Sequence, residues 1–425
     1  MKESFLHFVW QYLHFDVRDL ALETGEPVQI IRQGNYQTNA GPDFENCEIR
    51  VGDLRLIGNI EIHIKSSDWD LHKHYLDSYY DNVILHVVWE HDRDVVDSKG
   101  HRLPVITLKD RVATNVLFNY DQLLLGRDDI LCASHLSTLS DLKKVEWLDK
   151  AMIARLNTKA DGVMKRFHQN DGDWEETAYQ LLLRNFGFKV NSEAFEGLAE
   201  LLPFKIVKKH IDQPHQLEAL FYGQAGFLDG QEDDYVQDLL KEYRFLAHKY
   251  ALPETSRTQL GWKFLRLRTP NFPTVRIAQL IALLPQFPHL FDDLVHIVPI
   301  SQRYQQFKQD VSPYWQAHYK FGCSYKKKQS AKIGNESVDR LLVNTVVPLM
   351  AAYARYTGQH RYMDAATDLM EQMKPEDNYI LRKWKEANVE AKTAFDSQAL
   401  IMQYNAFCLP KNCLRCAVGI QLVRA

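Results

Sequence analysis

The segment that constrains the fold most is residues 54–65, in which apolar and ionisable side chains alternate. Its second half places isoleucine at every other position, and the positions between hold Glu61, His63 and Lys65. Because successive side chains of a strand point to opposite faces, such a strand buries one face and groups a carboxylate, an imidazole and an ammonium on the other. The sequence therefore predicts a sheet with one chemically active face.

Other strands precede and follow this one. Apolar and β-branched runs predict strands at 28–32, 44–51, 82–89 and 103–108, and the turn Gly52-Asp53 predicts a hairpin between 44–51 and 54–65. An aromatic helix is predicted at the start of the chain, and Asp68 is a suitable cap for a short helix over 69–80. The strand at 82–89 is apolar at nearly every position, which is typical of a strand buried on both faces.

Beyond about residue 112 the apolar positions recur with a helical period. Amphipathic helices are predicted at 145–167, 175–186, 192–202, 216–222, 235–250, 274–284, 338–356 and 362–373. The predicted fold class is α+β, with an N-terminal αβββαβ module over residues 1–115. A mostly α-helical domain over residues 116–425, divided near residue 325, is predicted to follow it.

Composition excludes several classes of protein. A chain of 425 residues is too long for one ordinary core, and its six unevenly spaced cysteines do not form a disulfide framework. The sequence has no apolar run long enough to cross a membrane and no export signal, so a cytoplasmic protein without a membrane partner is expected. The net charge of −4 gives no overall attraction to nucleic acid.

Asp43 stands at the start of the first hairpin strand, and Glu61 lies well along its partner. Adjacent antiparallel strands can bring these two carboxylates to one face of the sheet. Carboxylate oxygens are the ligands that Mg²⁺ or Mn²⁺ prefers, and such an ion activates water against a phosphodiester. His63 or Lys65 is then placed to stabilise negative charge or to position the water.

These residues carry a resemblance to a known superfamily. A Pro-Asp pair followed by an acidic residue and, two places on, a basic residue resembles the PD-(D/E)XK nucleases, whose fold is restriction-endonuclease-like. The resemblance implies that Asp43 and Glu61 bind metal and that the substrate is DNA or RNA. The family usually has lysine where this chain has His63, and Lys65 lies one step further along the same face.

A wider block of motifs resembles a second family. It comprises residues 39–44, 58–65, 67–69, 72–74 and 83–88, and it resembles an uncharacterised bacterial family, domain of unknown function 2851. That resemblance supplies no activity.

Three alternatives to a nuclease remain open. Asp43 can form an Asx turn while Glu61 pairs with Lys65 or Arg50 and His63 is a half-exposed strand residue. A non-catalytic nucleic-acid-binding or scaffold protein can retain a degenerate nuclease fold. His63, His74 and His86, with Asp77 behind them, can also form the zinc site of a hydrolase, although a histidine at position 86 is more often a core residue.

The end of the chain holds a second candidate metal site. Cys408, Cys413 and Cys416 form a C-x₄-C-x₂-C run, and Cys132 is the first choice for a fourth ligand, with Cys323 the second. The arrangement is similar to that of iron–sulfur-bearing PD-(D/E)XK nucleases, but there the lone cysteine precedes the nuclease core. Zinc, an iron–sulfur cluster and plain reduced thiols all remain open.

Two basic segments in the helical part are candidates for nucleic-acid contact. Arg266, Arg268 and Arg276 flank an Asn-Phe-Pro sequence, and the lysines 326–328 follow Tyr325. Basic residues interleaved with aromatic rings can hold a phosphate backbone and stack on bases. Solvated loops are the ordinary alternative.

Overall fold

The computed structural model describes residues 2–37, 41–125, 129–228, 233–328 and 330–424. The chain divides into two compact units. The first comprises Met1–Trp147, Lys383–Val389 and Gln403–Ala425, and the second comprises Leu148–Arg382 and Glu390–Met402. The boundary near residue 115 stays a prediction, and residue 325 falls inside the second unit. Asn39 and Ala40, from the motif block before Asp43, lie outside the described residues.

A six-stranded sheet forms the centre of the first unit. Its strands are β1 (Val28–Arg32), β2 (Asn35–Tyr36), β3 (Phe44–Val51), β4 (Leu54–Lys65), β5 (Val83–Glu90) and β6 (Val105–Thr107). The order is β1-β3-β4-β5-β6, with β2 paired beside β3. The pairs β1–β3 and β3–β4 are antiparallel, and β4–β5 and β5–β6 are parallel. Strand β5 is therefore internal, in line with its apolar sequence.

The register between β3 and β4 changes by one residue near the start of β3. Cys47 lies opposite Gly58, whereas Phe44 lies opposite Ile60, and Asn46 between them adopts a left-handed φ of 56°. Continuing the register of the Phe44–Ile60 pair by one residue places Asp43 opposite Glu61. Without the bulge, Asp43 would lie opposite Ile62, whose side chain is on the other face.

Helices make up most of the remainder. The first part of the chain contains α1 (Glu3–Gln11), α2 (Asp68–Leu71), α3 (Thr114–Leu125), α4 (Asp141–Gln169), α5 (Trp174–Phe186), α6 (Ser192–Leu201), α7 (Phe204–Val207), α8 (Pro214–Gln224), α9 (Asp234–Tyr250) and α10 (Pro273–Leu283). The later part contains α11 (Leu290–Val295), α12 (Ile300–Phe307), α13 (Pro313–Ala317), α14 (Asn335–Leu341), α15 (Val347–Thr357), α16 (Arg361–Glu371), α17 (Tyr379–Glu386), α18 (Ala394–Gln403) and α19 (Ala417–Arg424). A second sheet pairs β7 (His318–Lys320) with β8 (Cys323–Ser324).

The mixed α+β class is confirmed, and each long amphipathic helix predicted from the sequence is present within a few residues. The helix expected over 69–80 differs. It is the single turn of α2, then 3₁₀ turns at His74–Leu76 and Ser78–Tyr80. Lys73 takes a left-handed φ of 60°, which interrupts the helix. His72 therefore ends α2, and His74 begins the next turn.

Each unit has its own core. In the first, Phe5, Leu6 and Trp10 of α1 share a core with Ile60 and Ile62 of β4. This leaves the opposite face of β4 for Glu61 and His63. Within the described part of the chain, no helix has the length and apolar character needed to cross a bilayer.

We predict that Asn46→Val destabilises the first unit by about 1–2 kcal/mol, because a β-branched residue is strained in the left-handed region that the bulge requires. Asn46→Gly is the matched control and should leave stability nearly unchanged, since glycine adopts this conformation freely. Urea unfolding of both variants measures the difference. Equal stability of the valine and glycine variants would show that the bulge does not depend on this residue.

Candidate metal centre

Asp43 and the β4 strand are joined by reciprocal hydrogen bonds. The backbone N–H of Asp43 donates to Glu61 Oε2 at 3.1 Å, and the backbone N–H of Ile62 donates to Asp43 Oδ2 at 3.0 Å. Gly41, two residues earlier, has a φ of +112°, which favours glycine and turns the chain into this position. The two acidic side chains predicted from the sequence therefore meet, each held by a backbone donor.

Three histidines form the group most suited to hold an ion. Among the described residues, ring nitrogens of His63, His72 and His74 all lie within 4.8 Å of one another. His63 Nε2 lies 3.1 Å from His72 Nδ1. Glu61 Oε1 lies 3.6 Å from His63 Nε2 and 3.4 Å from His74 Nε2. The three imidazoles thus lie close together, and one carboxylate oxygen of Glu61 lies beside two of them, His63 and His74.

His86 orients His63 from behind. The parallel register places His86 of β5 beside Glu61, on the same face of the sheet. His63 Nδ1 lies 2.8 Å from His86 Nε2, so one of these two nitrogens donates a proton to the other. When His63 Nδ1 is the donor, its Nε2 presents a lone pair to the centre of the cluster. A histidine that binds a metal commonly has its other nitrogen fixed in this way.

Aromatic rings and a polar clamp fix the segment that carries His72 and His74. The ring of Tyr80 lies 3.9 Å from that of His74, and the ring of Trp69 lies 5.2 Å from it, measured between centroids. The Ser66 hydroxyl donates to Asp92 Oδ1 at 2.8 Å, and the Ser67 hydroxyl donates to Asp92 Oδ2 at 2.7 Å. The clamp ties the end of β4 to the chain after β5.

Helix α1 contributes two ionisable residues, one turn apart. His7 Nε2 lies 3.2 Å from Asp43 Oδ2, and His7 Nδ1 lies 3.2 Å from the Tyr36 hydroxyl. Glu3 is close enough to Asp43 for that charge to raise the pKa of Glu3, although burial is the larger cause. The polar face of α1 therefore completes the side of the site next to Asp43.

Burial controls the protonation of this cluster. It lowers the pKa of His63 to about 2, with the nearby histidines adding to the effect. Burial likewise lowers the pKa of His86 to about 3 and that of His74 to about 4. Burial, with the charge of Asp43 as a second cause, raises the pKa of Glu61 well above its ordinary value. These three imidazoles are therefore neutral at pH 7 and able to offer lone pairs.

The donor set fits a metal ion. His74 Nε2 and His7 Nε2, both in the described part of the chain, are buried without a hydrogen-bond partner although each faces a carboxylate. Around a tetrahedral ion with metal–nitrogen bonds of about 2.0–2.1 Å, neighbouring ligand atoms lie about 3.3–3.4 Å apart. The separations of 3.1, 3.4 and 3.6 Å between cluster atoms lie close to this value.

The contacts of Glu61 and His63 differ from the purely structural roles that the sequence also allowed for these two residues. In the described residues, the Glu61 carboxylate contacts Asp43, His63 and His74 rather than Lys65 or Arg50. His63 is 1 % exposed rather than half-exposed, because α2 and the following turns cover it. The side chain of Lys65 is exposed at the end of β4.

The remaining predicted residues lie outside the histidine and carboxylate cluster. Asp77 caps the 3₁₀ turn at Ser78–Tyr80 by accepting the Tyr79 N–H. Cys132, Cys408, Cys413 and Cys416 line a single cavity, whereas Cys323 is exposed in β8. Arg276, one of the basic residues considered for nucleic-acid contact, has a buried side chain that donates to Gln279 and Asn271.

Sequence analysis missed His72 and His7 as members of the site. His72 lies two positions before His74, but the left-handed residue between them, which directs both rings to β4, has no sequence signal. His7 follows Glu3 by four residues on α1, a spacing that places both on one helix face. That pair of polar residues in an aromatic helix was the available signal.

We predict that the metal-free protein loses stability as pH falls below about 6.5. In that range the unfolded chain binds protons at His63, His74 and His86, while the folded state keeps these rings neutral. Each proton bound only by the unfolded state costs about 1.4 kcal/mol per pH unit. Glu61 acts in the opposite direction above pH 4.5, but one carboxyl offsets only one of three histidines. Urea unfolding of chelator-treated protein from pH 7 to pH 5 measures the slope.

The variants His86→Gln and His101→Gln make this test specific. The first should reduce the slope by about one proton, whereas the second should not, since the side chain of His101 is 75 % exposed. A slope unchanged by His86→Gln would contradict burial of a neutral imidazole at this position.

Comparison with known proteins gives the chain a family. No curated protein and no solved structure matches the chain. One family model matches residues 3–379, which include every residue of the histidine and carboxylate cluster and end before Cys408. Because this match covers most of the chain, the protein belongs to the family described as Protein of unknown function (DUF2851).

Proposed function

We propose that this protein is a metal-dependent hydrolase of phosphodiesters in DNA or RNA. The observation that carries the proposal is the convergence of three histidine rings and the Glu61 carboxylate at ligand-to-ligand separations, with Asp43 held beside them. The site lies on the face of β4 opposite the Ile60 and Ile62 side chains, and its histidines pack beside Trp69 of a second, smaller apolar cluster.

The donor atoms favour a transition metal. Mg²⁺ and Mn²⁺ prefer oxygen ligands, whereas imidazole nitrogens suit Zn²⁺, iron, nickel and copper. His63, His72 and His74 supply three nitrogens, and Glu61 adds one carboxylate oxygen. A bound ion of this kind lowers the pKa of a coordinated water toward neutrality. The proposal therefore combines the carboxylates of a nuclease-like site with the histidines of a zinc-like site.

The protein groups have separate roles in this scheme. His63, His72, His74 and Glu61 would hold the ion, and His86 would keep the His63 ring in its binding orientation. Asp43 accepts the proton of the attacking water, because its carboxylate is already fixed by the Ile62 N–H and faces His7. The rings of Trp69 and Tyr80 pack against His74 and shield that part of the cluster from water, whereas His72 is exposed and leaves a side open to solvent.

A cationic pocket beside the site favours an anionic substrate. Its wall includes Lys2, Lys411 and Arg415 together with the rings of Tyr36 and Tyr120, and His7 forms part of its lining. His7 also faces Asp43, so the pocket adjoins the carboxylate side of the cluster. Cations and aromatic rings at one groove hold phosphates and stack on bases.

The order of elements also agrees with this function. Helix α1, the antiparallel strands β1, β3 and β4, helix α2 and the parallel strand β5 follow one another in the first unit. Apart from the additional short strand β2, this order supports the nuclease resemblance. Asp43 lies directly before β3 and Glu61 lies on β4, and these two strands are adjacent in the sheet.

We predict that the purified full chain hydrolyses nucleic acid or bis(p-nitrophenyl) phosphate with Zn²⁺ and more slowly with Mg²⁺ or Mn²⁺. Asp43→Asn should lower the turnover number by about 10²-fold or more, because a general base contributes that much, while metal binding persists. His72→Ala with His74→Ala should lower the metal content and the activity together. Metal analysis by mass spectrometry and initial rates measure both effects.

Matched controls are available in the same unit. Asp53→Asn changes an exposed aspartate of the β3–β4 turn, and His101→Ala changes an exposed histidine. Both should retain activity and metal. Turnover that is normal in Asp43→Asn, or metal content that is unchanged in the His72/His74 variant, would contradict the assigned roles.

We also predict that Lys411→Ala with Arg415→Ala weakens binding of nucleic acid. Removing two phosphate contacts should make the negative slope of log affinity against log salt less steep, by about 1.8 for a duplex. Lys99→Ala with Lys109→Ala removes the same charge from exposed positions away from the pocket lining and should leave the slope unchanged. Fluorescence anisotropy at several salt concentrations gives the slopes, and equal slopes for the two variants would place the anion site elsewhere.

A further inference from the structure

Four cysteines that are distant in sequence come together in the first unit. Cys132 follows α3, and Cys408, Cys413 and Cys416 belong to the C-terminal segment before α19. All four line one cavity, whose wall also contains Trp147 and Trp384. The cavity is separate from the histidine cluster and contains none of its residues.

Hydrogen-bond donors surround the sulfur of Cys416. The side-chain amide of Gln403 donates to Cys416 Sγ at 2.9 Å, and the backbone N–H groups of Val418 and Gly419 also donate to it. Gly419 packs so closely that an added Cβ would collide with the carbonyl of Cys413. Such donors commonly surround metal-bound cysteine sulfurs.

All four cysteine side chains line the same cavity, so their sulfur atoms lie near one another. An apolar core would fill this space with carbon, whereas here four polarisable ligands face one another. A soft cation stabilises thiolates and offsets their burial.

We infer that Cys132, Cys408, Cys413 and Cys416 together bind a soft metal centre, either one zinc ion or an iron–sulfur cluster, through four cysteine sulfurs. This inference does not rest on the proposed hydrolase function. The centre would fasten the C-terminal segment to the chain after α3. Because Cys413 and its neighbours Lys411 and Arg415 also line the cationic pocket, the same centre would fix one wall of that pocket.

The spacing of the sulfurs bears on which metal is bound. Thiolates around one tetrahedral zinc lie about 3.8 Å apart, given zinc–sulfur bonds of about 2.3 Å. Among the described residues, the ring nitrogens of the three histidines lie within 4.8 Å of one another. No three of these cysteine sulfurs, which also belong to the described part of the chain, lie that close together. The wider separation favours an iron–sulfur cluster, whose thiolates are attached to different iron atoms.

The experiment measures metal on the full chain purified without oxygen. Zinc, iron and acid-labile sulfide are quantified per chain, and the visible absorption spectrum is recorded. Iron with equimolar sulfide and visible absorption supports the cluster, and about one zinc per chain held by thiols supports the single-ion form. Titration of the native protein with a mercurial should release the metal as the thiols react, which needs no variant to fold.

Variants assign the metal to the cysteines. Cys413→Ser with Cys416→Ser should abolish this metal and lower the melting temperature, whereas Cys323→Ser, in β8 of the second unit, should change neither. The His72→Ala/His74→Ala variant should retain the cysteine-bound metal, so failure of the hydrolase proposal is distinguishable from failure of this one. Absence of stoichiometric zinc and iron, or metal retained by the Cys413/Cys416 variant, would overturn the inference.

Discussion

The site depends on the pair of hydrogen bonds that joins Asp43 to strand β4. Each carboxylate accepts a backbone N–H belonging to the other's segment, so the positions of Asp43 and Glu61 are set by main-chain geometry rather than by long flexible side chains. The bulge at Asn46 makes this exchange feasible, since it moves the register by one residue and brings the two acids to one face. The histidines then assemble around a carboxylate whose place is already determined.

Burying this cluster of ionisable side chains without a bound ion costs free energy. Burying a carboxyl beside another acid keeps Glu61 protonated, and burying imidazoles keeps them neutral against their tendency to ionise in acid. A core that needed only packing would not hold such groups, because apolar side chains of similar volume would be more stable. A cation that all these groups can bind would turn each of these penalties into a favourable interaction. This contrast is the physical reason for assigning chemistry, and not architecture, to this face of β4.

Local sequence patterns predicted the elements well and the site only in part. Alternation in β4 showed which side chains share a face, and the apolar run of β5 indicated an internal strand, because both signals follow from burial of neighbouring residues. The left-handed residues Asn46 and Lys73 carry no such signal, yet one sets the register of Asp43 and the other lies between His72 and His74, whose rings both reach His63. His7 was missed because its contact with Asp43 joins segments far apart in sequence. Pairings of this kind depend on tertiary packing, which period and propensity do not encode.

The grouping of charges in the fold also could not be predicted from local sequence patterns. The net charge of −4 gives no indication of an anion site, and the most visible basic run, residues 326–328, lies in the second unit. The cations beside the histidine cluster come instead from Lys2 at the start of the chain and from Lys411 and Arg415 near its end. Folding brings these separate charges to one pocket because the C-terminal segment returns to the first unit. The arrangement of these charges is therefore coupled to the position of that segment, which also carries Cys408, Cys413 and Cys416.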